Sequence, residues 1–342
     1  MTRTVASPSF RTRGTTALAI VGVGLAAAAA SVAFRDVLHV VYRALLGDRD
    51  VLQGIARIPW WACILLPAGG GAIAAALVPL GTSGNAGVGG VMEAVVLQRG
   101  RISFRASVVR VAACFAAVAT GGSIGREGPI IQLGAGMGDA VGLRTTALEG
   151  QRRMLVAAGT AAGFAAAYGT PLAAVLFVAE VVTISTSMKL LLPASVAAVL
   201  AGIVAGFGPL YGARDFELHQ LVELIAYASL GALAGVLGVA FMRLLHVAER
   251  VFARLGPPIV RAAIAGAIVG AIAIGAPAVA GNGYEAIRGL LDAACSRRRC
   301  SSARRSAGCS RSDSALVVRM SIRAPTRSPA WPRLVPRPRT RR

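Results

Sequence analysis

Eight apolar stretches run along the first 280 residues, separated by short polar or glycine-rich breaks. They are Ala17–Phe34, Pro59–Leu80, Val108–Thr120, Ile130–Val141, Met154–Val182, Leu190–Tyr211, Leu221–Leu245 and Ile259–Ala280. A helix needs about 20 mainly apolar residues to cross a bilayer. Lipid leaves no backbone N–H or C=O without a partner, so these runs are expected to be helical. The first follows Arg3, Arg11 and Arg13 and has the charge order of a signal peptide. It is too long for one, and Arg35-Asp36 stand where a small-residue cleavage site would be. It is read as a retained first helix behind a basic, cytoplasmic N-terminus of residues 1–16.

Several stretches are short for a full span, or broken. Met154–Val182 is interrupted at Tyr168-Gly169-Thr170-Pro171, and Gly125-Arg126-Glu127-Gly128-Pro129 splits the pair on either side of it. Broken helices at membrane depth are tolerated where they line a cavity or are buried in protein. In transporters such breaks mark the substrate site, because half-helix N-termini aim their positive ends at it. The pattern favours a pore or carrier over a receptor or an anchored enzyme.

Composition strengthens this reading. Apolar residues make up 55% of the 342-residue chain and charged residues 15%, with a mean hydropathy of +0.66. A soluble domain carries about 25% charge. The 41 glycines suit close helix packing in lipid. These figures exclude a soluble domain, a disordered chain and a disulfide scaffold. Five scattered cysteines and the separated histidines His39, His219 and His246 give no metal spacing, and no cofactor is expected. No nucleophile triad or Cys/His pair is placed at membrane depth, so an enzyme is not expected. Arg110 and Arg261 inside apolar runs read as snorkelling or paired side chains.

The net charge of +21 is unevenly spread. From Cys295 onward there are 14 arginines and one acid, Asp313; the first 294 residues hold 22 basic and 14 acidic residues. Residues 293–342 are rich in Arg, Ser and Pro and have no helical or strand period. Three readings compete: a basic tail for anionic lipid or nucleic acid, a plain disordered terminus, and out-of-frame translation of a GC-rich gene. The patternless composition favours the third, and no nucleic-acid partner is expected.

The most informative segment is Gly121-Gly122-Ser123-Ile124-Gly125-Arg126-Glu127-Gly128-Pro129. A glycine-rich turn frees backbone N–H groups, and proline suits a first helical turn. A helix N-terminus carries the equivalent of about +0.5 charge with unpaired donors, which makes it an anion site. Glu127 supplies an internal anion that occupies the site or leaves it on protonation, and an intramembrane acid is a functional candidate. The plainer reading is an N-terminal acid favoured by the dipole, with Arg126 as its salt-bridge partner.

These residues resemble the signature of the CLC chloride channels and chloride/proton antiporters. Three further segments agree in order and spacing. Gly87-Val88-Gly89-Gly90-Val91-Met92-Glu93 resembles the first filter turn; Tyr168-Gly169-Thr170-Pro171 through Phe177-Val178-Ala179-Glu180 resembles a turn and the helix that follows it; Gly281-Asn282-Gly283-Tyr284 resembles a turn that opens a helix in the second half. The resemblance covers roughly residues 17–292. It implies an all-α integral membrane fold of two inverted repeats, the first complete and the second largely missing beyond Ala294. It also implies a homodimer in the plasma (inner) membrane, with a pathway in each subunit for chloride or another small anion. Glu127 takes the gating position. Gly125, Arg126, Gly128, Pro129, Ala86 and Gly87 fall at anion-binding positions.

The chain departs from the family pattern in three ways. Ala86, between Asn85 and Gly87, stands where a filter serine is usual, unless a shifted alignment brings in Ser83. Val181 stands where the coupled antiporters carry a second acid. An aliphatic side chain cannot carry a proton, so passive conduction is expected over coupled exchange. The later anion-binding turn and pathway tyrosine have no counterpart after Ala294. A carrier for another anion and a truncated, non-transporting membrane protein remain the alternatives.

Overall fold

The computed structural model describes residues 10–81, 87–96, 101–145, 149–182, 187–208, 211 and 221–293. Two units are distinguished, residues 1–286 and 287–342, and every element below belongs to the first. Among the described residues there is no strand. The chain is an all-α membrane protein, with five helices long and apolar enough to span a bilayer.

The leading apolar run is the middle of a longer helix, α1 (Phe10–Leu46), whose 37 residues extend about 55 Å. It therefore exceeds the roughly 30 Å hydrocarbon layer. After the short α2 (Val51–Ile55), capped by the Asp50 side chain, α3 (Trp60–Leu77) and α4 (Gly87–Val96) follow. Next come α5 (Phe104–Ala119), α6 (Glu127–Thr145), α7 (Glu149–Tyr168), α8 (Pro171–Phe177), α9 (Met188–Ala205), α10 (Val222–Ala253) and α11 (Pro258–Gly275). Both breaks expected from Gly and Pro are present. The chain leaves helix between Ala119 and Glu127, and again at Gly169-Thr170, where Gly169 has φ +69°.

Small residues let these helices touch backbone to backbone. On α6, Gly134 and Gly138 face Gly159 and Leu155 of α7, and a Cβ on either glycine would run into a carbonyl oxygen of the partner. Gly266 and Gly270 of α11 meet the carbonyls of Pro67 and Cys63 on α3 in the same way. The four-residue spacing puts each pair on one helix face. This is the close-packing seam expected for helices in lipid.

The core between α1, α6, α7 and α9 is accordingly rich in alanine, including fully buried Ala28, Ala161, Ala165 and Ala198. A second cluster joins the later part of α1 to α2, α3 and α5. There the Tyr42 hydroxyl donates to the Val118 carbonyl at 3.0 Å. The acid of one ion pair is buried. Asp139 accepts the Ile102 N–H at 2.9 Å and pairs with Arg152, fixing α6 to α7 and to the strand-free entry into α5. By contrast, α10 buries none of its 32 residues among the described ones.

Candidate functional site

The site grows from the end of α5. Gly121, with φ +90°, donates to the Val118 carbonyl, and Gly122 donates to Ala117, which closes the helix. A Cβ at Gly122 would stand 2.6 Å from the Ala117 oxygen, so the reversal needs a bare backbone. The chain then crosses Ser123, Ile124 and Gly125 in non-helical form and re-enters helix at Glu127. The Ile130 N–H bonds the Arg126 carbonyl at 3.3 Å. Pro129 has no N–H, so the N–H groups of Glu127 and Gly128 are the unpaired donors of this helix mouth.

The Glu127 carboxylate turns back over its own turn. Its Oε2 lies 2.5 Å from where a Gly125 Cβ would stand. Its Oε1 accepts a 2.6 Å hydrogen bond from the Tyr284 hydroxyl. Tyr284 opens a helical segment behind the turn Gly281-Asn282-Gly283, in which Gly281 and Gly283 have φ +76° and +79°. The Gly281 N–H donates to the Gly121 carbonyl at 3.4 Å, so the two glycine turns are tied together. The sequence signals matched both turns, and the fold joins them across 157 residues.

Arg126 is not the salt-bridge partner of Glu127. Its guanidinium carbon lies 5.5 Å from the centroid of the Tyr284 ring, and its Nε has no hydrogen-bond partner. The ion pairs Arg35–Asp36, Arg57–Asp48 and Arg152–Asp139 involve neither Arg126 nor Glu127. The plainer reading of a neutralised Arg-Glu pair at a helix start is thus replaced by a cation stacked on an aromatic ring. The Glu127 carboxyl faces the Tyr284 hydroxyl and the bare Gly125 backbone instead.

The second broken helix comes to the same place. Tyr168, the last residue of α7, interacts with the Tyr284 phenol, and the Tyr211 ring stands 6.0 Å from the Tyr284 ring. Phe164 stacks between Tyr168 at 4.6 Å and Phe177 at 4.7 Å, carrying the aromatic lining from α7 onto α8. Behind the loop, the Cys114 thiol on α5 contacts the Gly125 carbonyl at 3.6 Å. Gly87 opens α4, which packs on α6. Ala86, Asn85 and Ser83 lie outside the described residues, as does the tail from residue 294. Glu180 and Val181 sit in a π-helical turn, Val178–Val182, with Glu180 exposed.

An all-helical membrane protein whose broken helices meet at a carboxylate-bearing glycine turn belongs to the class of intramembrane ion pathways. The comparisons define the class further. Residues 70–303 match the voltage gated chloride channel family, and the chain belongs to that family. It is 39% identical over 290 residues to a putative chloride channel protein, ClcB-like, of Ralstonia nicotianae, spanning 81% of this chain and 67% of that one. It is 32% identical over 285 residues to a voltage-gated ClC-type chloride channel, ClcB, of Escherichia coli, covering 79% of this chain and 67% of the relative.

Two solved structures share the fold. The first is a slow cyanobacterial Cl−/H+ antiporter with TM-score 0.68 and 24% identity, covering 82% of this chain and 67% of the other. The second is a CLC-type fluoride/proton antiporter with TM-score 0.63 and 23% identity, covering 80% and 69%. Family membership assigns the chain to membrane anion transport.

Proposed function

We propose that the protein conducts chloride or a similar small anion passively, through a pathway at the mouth of α6 that the Glu127 carboxylate gates. The carrying observation is the Glu127 carboxyl at a helix N-terminus, bonded to the Tyr284 hydroxyl, with Arg126 on the Tyr284 ring rather than paired with it. A helix mouth that stabilises one anion stabilises another in its place. The carboxylate and a dehydrated halide therefore compete for one seat, in which N–H groups of Glu127 and Gly128 are donors and Gly125 and Pro129 shape the lining. Protonation removes the internal competitor.

Val181 supports passive flow. No second acid follows Glu180 to relay a proton toward the opposite face. The names of the relatives from Ralstonia and Escherichia, both called chloride channels, support the same substrate. The working form is a homodimer in the inner membrane, with one pathway per subunit.

The test is chloride efflux from liposomes holding the full chain. Passive flow requires only charge compensation by a potassium ionophore and leaves the internal pH unchanged. A chloride gradient that drives protons the opposite way in fixed stoichiometry would overturn passive conduction.

A further inference from the structure

The phenol that meets Glu127 sits on a scaffold built to hold it there. Its donor–acceptor distance of 2.6 Å falls in the range of a charge-assisted O–H···O⁻ bond. The donor's turn is anchored to the acceptor's turn through the Gly281 N–H and the Gly121 carbonyl. Gly281 also lies over Val51, where a Cβ would stand 2.9 Å from the valine side chain, so the turn rests on the second core cluster. Arg126 holds the phenol ring from its face. An ordinary half-buried tyrosine takes whatever acceptor is near. Here the acceptor is the ionisable group at the helix mouth, and the neighbouring cation stacks on the donor's ring.

We propose that Tyr284 is a positioning residue: its hydroxyl latches the ionised Glu127 carboxylate against the mouth of α6, so that the gate releases when the carboxylate is protonated. This rests on the reading of Glu127 as the gate. Among the described residues, the charged and titratable groups that face Glu127 include Arg126 from its own turn, Cys114 from α5, Tyr168 from α7, and Tyr284. A hydrogen bond to a charged acceptor is worth more than one to a neutral acceptor, so protonation weakens the latch and frees the side chain together. The latch thereby sets how acidic the outside must be before the pathway opens.

Tyr284→Phe tests this, because it removes the hydroxyl and keeps the ring under Arg126. Efflux of chloride is measured against external pH for the wild type, Tyr284→Phe, Glu127→Gln and the double variant. The half-activation pH of Tyr284→Phe is expected to rise by about one pH unit, a tenfold change in proton requirement. The double variant is expected to match Glu127→Gln, since the latch acts through the carboxylate. An equal added effect of Tyr284→Phe in both backgrounds would overturn the latch, as would a profile superimposed on the wild type. If Glu127→Gln itself leaves the pH response unchanged, the gate reading fails first and the latch with it.

A second measurement does not require transport. The infrared carboxylate band lost in Glu127→Gln should shift in Tyr284→Phe in the detergent-solubilised full chain. An unmoved band overturns the hydrogen bond itself.

Discussion

At the residue scale, the absence of a side chain at Gly125 decides where the Glu127 carboxylate can go. Its Oε2 occupies the space that a Cβ at 125 would need, at 2.5 Å. The obstructing atom is the tip of a flexible side chain, so Gly125→Ala should leave the fold intact and push the carboxylate off its seat. The expected outcome is chloride efflux at neutral pH several-fold above wild type, with an unchanged melting temperature in detergent. Asp139 behaves oppositely. It is buried, paired with Arg152 and bonded to the Ile102 N–H. Asp139→Asn removes the buried charge from this pair and should cost about 3–5 kcal/mol of stability. Thermal unfolding in detergent measures that loss. The place of Glu127 at a helix start was legible in the sequence, because a glycine-rich turn followed by an acid and a proline suits a first helical turn. The fate of Arg126 was not, since a guanidinium next to a carboxylate reads as an ion pair until the Tyr284 ring is brought beside it by the fold.

At the element scale, the breaks carry the design. Gly169 and Pro171 separate α7 from α8, and Gly121 through Gly125 separate α5 from α6. Their positions could be read from the chain, because proline lacks the N–H that helix continuation needs and positive φ favours glycine. Which faces of the helices meet was less legible. Hydropathy cannot distinguish a surface facing lipid from one facing another helix, so α10, which buries no residue, and the largely buried α7 look alike in sequence. The glycine seams supply the missing signal at α6–α7 and α3–α11. Gly134→Val would drive a branched side chain into the Gly159 carbonyl and force the helices apart. Overpacking of this kind costs about 1–3 kcal/mol, more where backbone must move. A lowered detergent melting temperature is expected, while Gly231→Val on the exposed face of α10, with nothing near it, should melt like the wild type.

At the scale of the whole molecule, the chain spans 67% of the length of its Ralstonia and Escherichia relatives, and the family fold is recognisable throughout that portion. The part present brings three separate chain turns, at residues 121–127, 168–171 and 281–284, into one region beside a helix mouth. Each turn was visible as a motif. Their convergence depended on contacts between residues more than 100 positions apart, which local patterning does not encode. The proposed activity is a property of that convergence: separate helix ends hold a dehydrated ion jointly.

Gating by Glu127 is decided by chloride efflux from liposomes as a function of external pH, wild type beside Glu127→Gln. Efflux should be acid-activated in the wild type and high and pH-independent in the variant, whose side chain is permanently neutral. A Glu127→Gln protein that keeps the wild-type pH response would contradict it.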